Sequence, residues 1–105
     1  MNIEYDNKNK LLVIKIDEEI DHHAVEKIRR RADYEIQRYM PKRVVFDFNN
    51  VSFMDSSGIG MVVGRYKLIS MLGGELSMIN VKENLYKILK MSGIAKIIPI
   101  QEVKI

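Results

Sequence analysis

The stretch densest in reactive groups is Asp55-Ser56-Ser57-Gly58, preceded by Phe53-Met54 and followed by Ile59-Gly60. Its two hydroxyls stand where an apolar run, Val44 to Phe48, gives way to a long helical pattern, Ile59 to Leu72. The first turn of a helix offers unpaired backbone N–H groups and partial positive charge, so it favours an anion. A serine there is either a helix cap or a hydroxyl that accepts a phosphate, because the position tolerates the incoming charge. Nucleophilic catalysis fits poorly, since a catalytic serine needs an adjacent base and oxyanion donors. The Gly-x-Ser-x-Gly elbow is missing, with Met54 two places before Ser56 and Ile59 two places after Ser57. No Gly-Lys-Ser/Thr follows, so the stretch is not a P-loop.

A second cluster is Asp21-His22-His23. Neighbours on a helix point about 100° apart, so adjacent histidines do not share one metal ion readily. A helix cap followed by surface histidines is the plain reading, and a small phosphocarrier using His22 or His23 is the chemical alternative. Arg29-Arg30-Arg31 has acids interleaved nearby and no aromatic stacking groups on its face, which describes a solvated helix surface rather than a nucleic-acid site. The net charge of +3 is too small to imply more than loose, salt-sensitive attraction to nucleic acid. With no cysteine in the chain, disulfides, thiolate catalysis and zinc fingers are excluded. Met54, Met61 and Met71 read as core residues. Met61 falls off the main helical stripe, with Arg65 and Leu68 on its side, so it belongs either to a partner surface beside Ser56 or to packing under a loop.

The elements that must position these groups follow from periodicity. The 105 residues make one domain, 1–105, with an ordinary globular balance of 47% apolar and 30% charged residues. No apolar run is long enough to span a bilayer and the N-terminus lacks a signal-peptide pattern, so a cytoplasmic protein without a membrane partner is expected. Ile3 and Tyr5 alternate with polar residues, and Leu11 to Ile16 forms a second strand, giving a hairpin closed by Asn7-Lys8-Asn9. An acidic loop follows. Asp21 then caps a helix to about Tyr39, with Val25, Ile28, Ala32, Ile36 and Tyr39 as its buried stripe. Pro41 stops it. Arg43 to Phe48 is a central strand. A helix from about Ser57 to Leu72 buries Ile59, Val62, Val63, Tyr66 and Ile69, its Gly60 and Gly64 permit close approach to another backbone, and Gly73-Gly74 ends it. Glu75 to Ile79 is a strand, and Asn80 with Glu83 has capping-box spacing for a third helix, stopped by Gly93. Ile97 to Ile100 is a short last strand, and the tail from Gln101 has no clear period.

The order β-β-α-β-α-β-α-β predicts an α/β domain, a mixed sheet of four to five strands with three or more helices. Functional groups in such sheets collect where strands hand over to helices, here at Glu18 to His23 and at Met54 to Gly58.

Phe53-Met54-Asp55-Ser56-Ser57-Gly58-Ile59-Gly60, followed by Gly64-Arg65-Tyr66-Lys67, resembles the signature of the STAS-domain anti-sigma factor antagonists. Glu19-Ile20-Asp21-His22-His23 is similar to the matching loop of the sporulation group. Gly73-Gly74-Glu75, Met91-Ser92-Gly93 and Lys96-Ile97-Ile98 extend the likeness from about Ile3 to Ile98. The resemblance implies a non-enzymatic switch without cofactors. Its partner is an anti-sigma factor that is also an ATP-dependent serine kinase. The unmodified antagonist makes the partner release a sigma factor, phosphorylation ends the contact, and a serine phosphatase reverses it. The serine directly after the Asp is the family's acceptor, which maps to Ser56. The resemblance also implies a partner surface around Glu19, Asp21, Asp55, Ser57, Gly58, Ile59 and Met61. The nearest competing expectation is an antagonist of a stress-response sigma pathway. Two departures stand out: Glu18 occupies a place where the family has glycine, and the chain ends where the sporulation group adds a C-terminal helix.

Overall fold

In the computed structural model, which describes residues 1–101 and the backbone of 103 and 104, the chain forms a mixed sheet backed by helices. The opening hairpin pairs β1 (Asn2–Asp6) antiparallel to β2 (Leu11–Lys15). β3 (Arg43–Asp47) and β4 (Glu75–Ile79) then add in parallel, giving the order β1-β2-β3-β4. Each parallel step needs a crossover, supplied by α1 (Val25–Tyr39) and α2 (Ser56–Met71). Right-handed crossovers along one direction of the sheet put both helices on the same face.

That face carries two rows set by the register: Tyr5, Leu12, Val44 and Leu76, then Ile3, Ile14, Phe46 and Met78. They form one core with Ile28, Ala32 and Ile36 of α1 and Met61, Val62 and Ile69 of α2. The alternate residues, among them Glu4, Lys15, Arg43 and Glu75, line the opposite face, which is polar except at Leu11, Val13, Val45 and Ile79. A strand side chain switches face at every residue, so this split fixes the register throughout.

The α1 stripe lies as its spacing predicts, extended by Glu35, which is buried between Arg31 and Arg38. Tyr39 stacks on Tyr5 of β1 at a centroid distance of 4.2 Å. Arg29 and Arg30 pair with Glu26, so this arginine run is a solvated, self-neutralised face.

Five local expectations are corrected. Met71, expected in the core, is 83% exposed at the end of α2. α1 begins at Val25, not Asp21; the Asp21 carboxylate caps the preceding turn by accepting from the His23 and Ala24 N–H groups. A Cβ at Gly60 or Gly64 would meet open space, so neither glycine serves a close backbone approach. Asn80 is not a helix cap: it turns left-handed (φ 56°) and its side-chain amide donates to Asp47, while α3 (Glu83–Ser92) starts behind a two-residue strand, β5 (Val81–Lys82). The last strand shrinks to one bridge. Ile94–Lys96 forms a 3₁₀ turn, and only Ile100 pairs, with Met78. The tail then lays β6 (Val103–Lys104) beside β5, a pairing with no signal in the sequence. Ile105 lies outside the described residues. Gly73, with φ 81°, closes α2 as its type predicts.

Candidate functional site

Because β2 and β3 are parallel, their carboxyl ends open on the same edge, and the loops after them meet there. Ile20 N–H donates to Phe53 C=O (3.3 Å) and Asp55 N–H donates back to Ile20 C=O (3.3 Å), an isolated parallel bridge centred on Ile20 and Met54. Both of those side chains are buried.

Glu19 straps the same two loops together. Its Oε1 accepts from the N–H groups of Ser52 (2.8 Å) and Phe53 (3.3 Å), and its Oε2 accepts from the Ser52 hydroxyl. Burial opposes ionisation of this carboxyl, but the bonds from Ser52 and Phe53 outweigh it and hold its pKa below the ordinary value. Glu18, in the place of the family's glycine, points to Lys27 (3.1 Å) and has no left-handed backbone, so the loop accommodates a side chain there without strain.

Asp55 is the N-cap of α2 and the hub of the site. Its Oδ1 accepts from Gly58 N–H (3.0 Å) and from the Ser57 hydroxyl (2.6 Å), and its Oδ2 accepts from His22 N–H (3.1 Å). These bonds, led by that from Ser57, hold the Asp55 carboxyl below its ordinary pKa. The cap is therefore Asp55 rather than either serine. Ser57 is half-buried and its hydroxyl is engaged. Ser56, the first residue of α2, is exposed, and among the described residues no hydrogen bond reaches its hydroxyl.

Gly58 must be glycine. A Cβ there would lie 2.5 Å from both the Ile20 carbonyl oxygen and Met54 Cγ, so no side chain fits without moving backbone. This contact presses the first turn of α2 against the core and fixes where Ser56 stands.

The residues expected at a partner surface thus divide. Glu19, Asp21, Asp55, Ser57 and the half-buried Ile59 lie on the two bridged loops and the first turn of α2, with the three carboxylates occupied by internal bonds. Gly58 and Met61 are corrected: Gly58 is buried against Ile20, and Met61 is 4% exposed within the core. Residue spacing missed Phe53, which is 49% exposed. It belongs to no period, so only its place beside Asp55 signalled it. His22 and His23 are exposed, with ring centroids 3.9 Å apart. No group of three or more potential metal-ligating side chains occurs among the described residues, and no helix there is long and apolar enough to cross a membrane.

The STAS family model matches residues 2–104, and the chain belongs to this family. It is 38% identical over 102 residues to an anti-sigma F factor antagonist of Paenibacillus polymyxa, covering 97% of this chain and 87% of that protein. An anti-sigma-B factor antagonist of Bacillus subtilis is 32% identical over 103 residues, covering 95% of this chain and 92% of the relative. The fold is similar to the anti-sigma factor antagonist SpoIIAA, solved in its unphosphorylated form, with a TM-score of 0.81 and 30% identity over 96% of this chain and 85% of that one. The phosphorylated form of Bacillus SpoIIAA matches with a TM-score of 0.73 at 30% identity, over 96% of this chain and 88% of that one.

Proposed function

We propose that this protein is an anti-sigma factor antagonist of the sporulation type, acting in the cytoplasm and switched off by phosphorylation of Ser56. The observation that carries this reading is the contrast between two adjacent hydroxyls: Asp55 holds that of Ser57, and that of Ser56 stands free at the start of α2. The higher identity to an anti-sigma F antagonist than to an anti-sigma-B antagonist favours the sporulation pathway over the stress-response one.

The unmodified protein docks on an anti-sigma factor that is also a serine kinase, and the sigma factor is released. The kinase then forms a bond between Ser56 Oγ and the γ-phosphorus of ATP, ADP leaves, and the hydroxyl proton goes to a base on the kinase. The product carries about −1.5 to −2 charges at neutral pH. Exposure and the α2 N-terminus make that charge tolerable to the fold, by about 0.3–1 kcal/mol. At a closed interface, beside Asp55 and Asp21, it is not tolerable, and about 1.4 kcal/mol of crowding weakens binding tenfold. A serine phosphatase restores the active form by hydrolysis.

Incubation with an anti-sigma kinase and ATP, followed by mass spectrometry, should place one acid-stable phosphate on Ser56. Ser56→Asp should fold normally and bind the kinase at least about tenfold more weakly. An acid-labile phosphate on His22 or His23, or a Ser56→Asp protein with undiminished affinity, would overturn the proposal.

A further inference from the structure

Phe53 is the exposed large apolar side chain in the loops that converge on Ser56; others, such as Tyr34, Met71 and Met91, lie on helices away from that loop junction. The segment has inward positions: Val51 and Met54 on either side are in the core, at 0% and 2% exposure. Phe53 takes neither. Its main chain is nevertheless fixed at both polar groups, the N–H by Glu19 and the C=O by Ile20. An aromatic ring half in water adds little to folding. On a fixed backbone, though, it loses little freedom on binding, and rigid aromatics seated in a partner's pocket dominate interface energetics.

We infer that Phe53 is the apolar anchor of the partner surface, entering an apolar pocket on the anti-sigma kinase, and that Glu19 positions this anchor instead of touching the partner. The inference rests on the proposed function and extends it. Phe53 lies three residues before Ser56 on the same pinned segment, so docking the ring brings the Ser56 hydroxyl to the edge of a drying pocket. A neutral hydroxyl is inexpensive to desolvate there, and a dianion is not. The same anchor that gives affinity to the unmodified form therefore makes the modified form incompatible with the complex.

The test uses the full chain with Phe53→Ala, Phe53→Leu, Glu19→Ala, the double variant Glu19→Ala/Phe53→Ala, and Met71→Ala as a control on an 83% exposed apolar residue. Affinity for the anti-sigma kinase is read by titration calorimetry, the fold by thermal melting, and self-association by sedimentation. Phe53→Ala should weaken binding about tenfold or more with unchanged melting, while Phe53→Leu loses less and Met71→Ala loses nothing. Glu19→Ala should weaken binding, and the double variant should bind no more weakly than Phe53→Ala alone. Losses that add instead would make Glu19 a contact in its own right and overturn its positioning role. Phe53→Ala binding within twofold of a wild-type chain that binds the kinase would overturn the anchor. So would a Phe53-dependent dimer in place of kinase binding. A wild-type chain that binds no anti-sigma kinase would defeat the functional proposal itself, and the anchor with it.

Discussion

Ser56 and Ser57 differ by one hydrogen bond, and Asp55 makes that difference. Asp, Ser and Ser are all good cap residues, so their order in the sequence cannot say which of them closes the helix. Only the approach of Gly58 N–H and of His22 N–H to the same carboxylate decides it. The Asp55 carboxyl is depressed below its ordinary value, chiefly by the bond from Ser57. A depressed carboxylate stabilises the fold above that ordinary value, and the contribution is lost as pH falls through the depressed one. Asp55→Ala should therefore melt below wild type at pH 7, and the gap should narrow as the pH drops below about 4. Melting curves across that range check this; a gap independent of pH would remove the ionised cap from the account. Gly58 was legible as a residue of the signature but not as a packing contact, because its reason is the Ile20 carbonyl, remote in the chain.

Between α1 and α2 the sequence was only half informative. The α1 stripe follows its period because the helix is apolar on one side only. The α2 stripe packs on the core at each expected position, Ile59, Val62, Val63, Tyr66 and Ile69, but is wider, since Gly58, Met61 and Arg65 are buried as well. A helix that is apolar nearly all round has no sharp period to read. Arg65 is the surprise in that set. Its side chain is 11% exposed and its Nε lies 2.8 Å from Asp33 Oδ1, whose side chain is 22% exposed. The N–H groups are not aimed along a proper hydrogen bond, so the contact is an ion pair held by charge. Asp33→Ala leaves the guanidinium in the interface without its counter-charge and should cost about 1–3 kcal/mol. The double variant Asp33→Ala/Arg65→Met should recover much of this. Urea unfolding of Asp33→Ala, Arg65→Met and the double variant reads the difference, and a double-variant loss equal to the sum of the two single losses would mean that the pair is not coupled.

At the scale of the whole molecule, the α/β class and the order of the main elements followed from the pattern of strands and helices. The closing of the chain did not. The β5–β6 pairing and the single Ile100 bridge are too short to leave a period, and the bridge needs the edge that Met78 of β4 offers. The parallel register of β2 and β3 is what gathers the reactive groups at one end of the sheet, away from the core they are anchored to. Phosphorylation should therefore spare the fold: the Ser56-modified chain should melt within about 5 °C of the unmodified one. Calorimetry on the kinase-treated protein tests this, and a collapsed or strongly shifted transition would count against an interface-only switch.

Gly58 reaches Ile20 only in the finished fold, and the geometry around Ser56 exists only once it has done so. Under the proposed function, the kinase therefore meets the Ser56 hydroxyl in this setting on folded copies alone, and unfolded copies should be poor substrates.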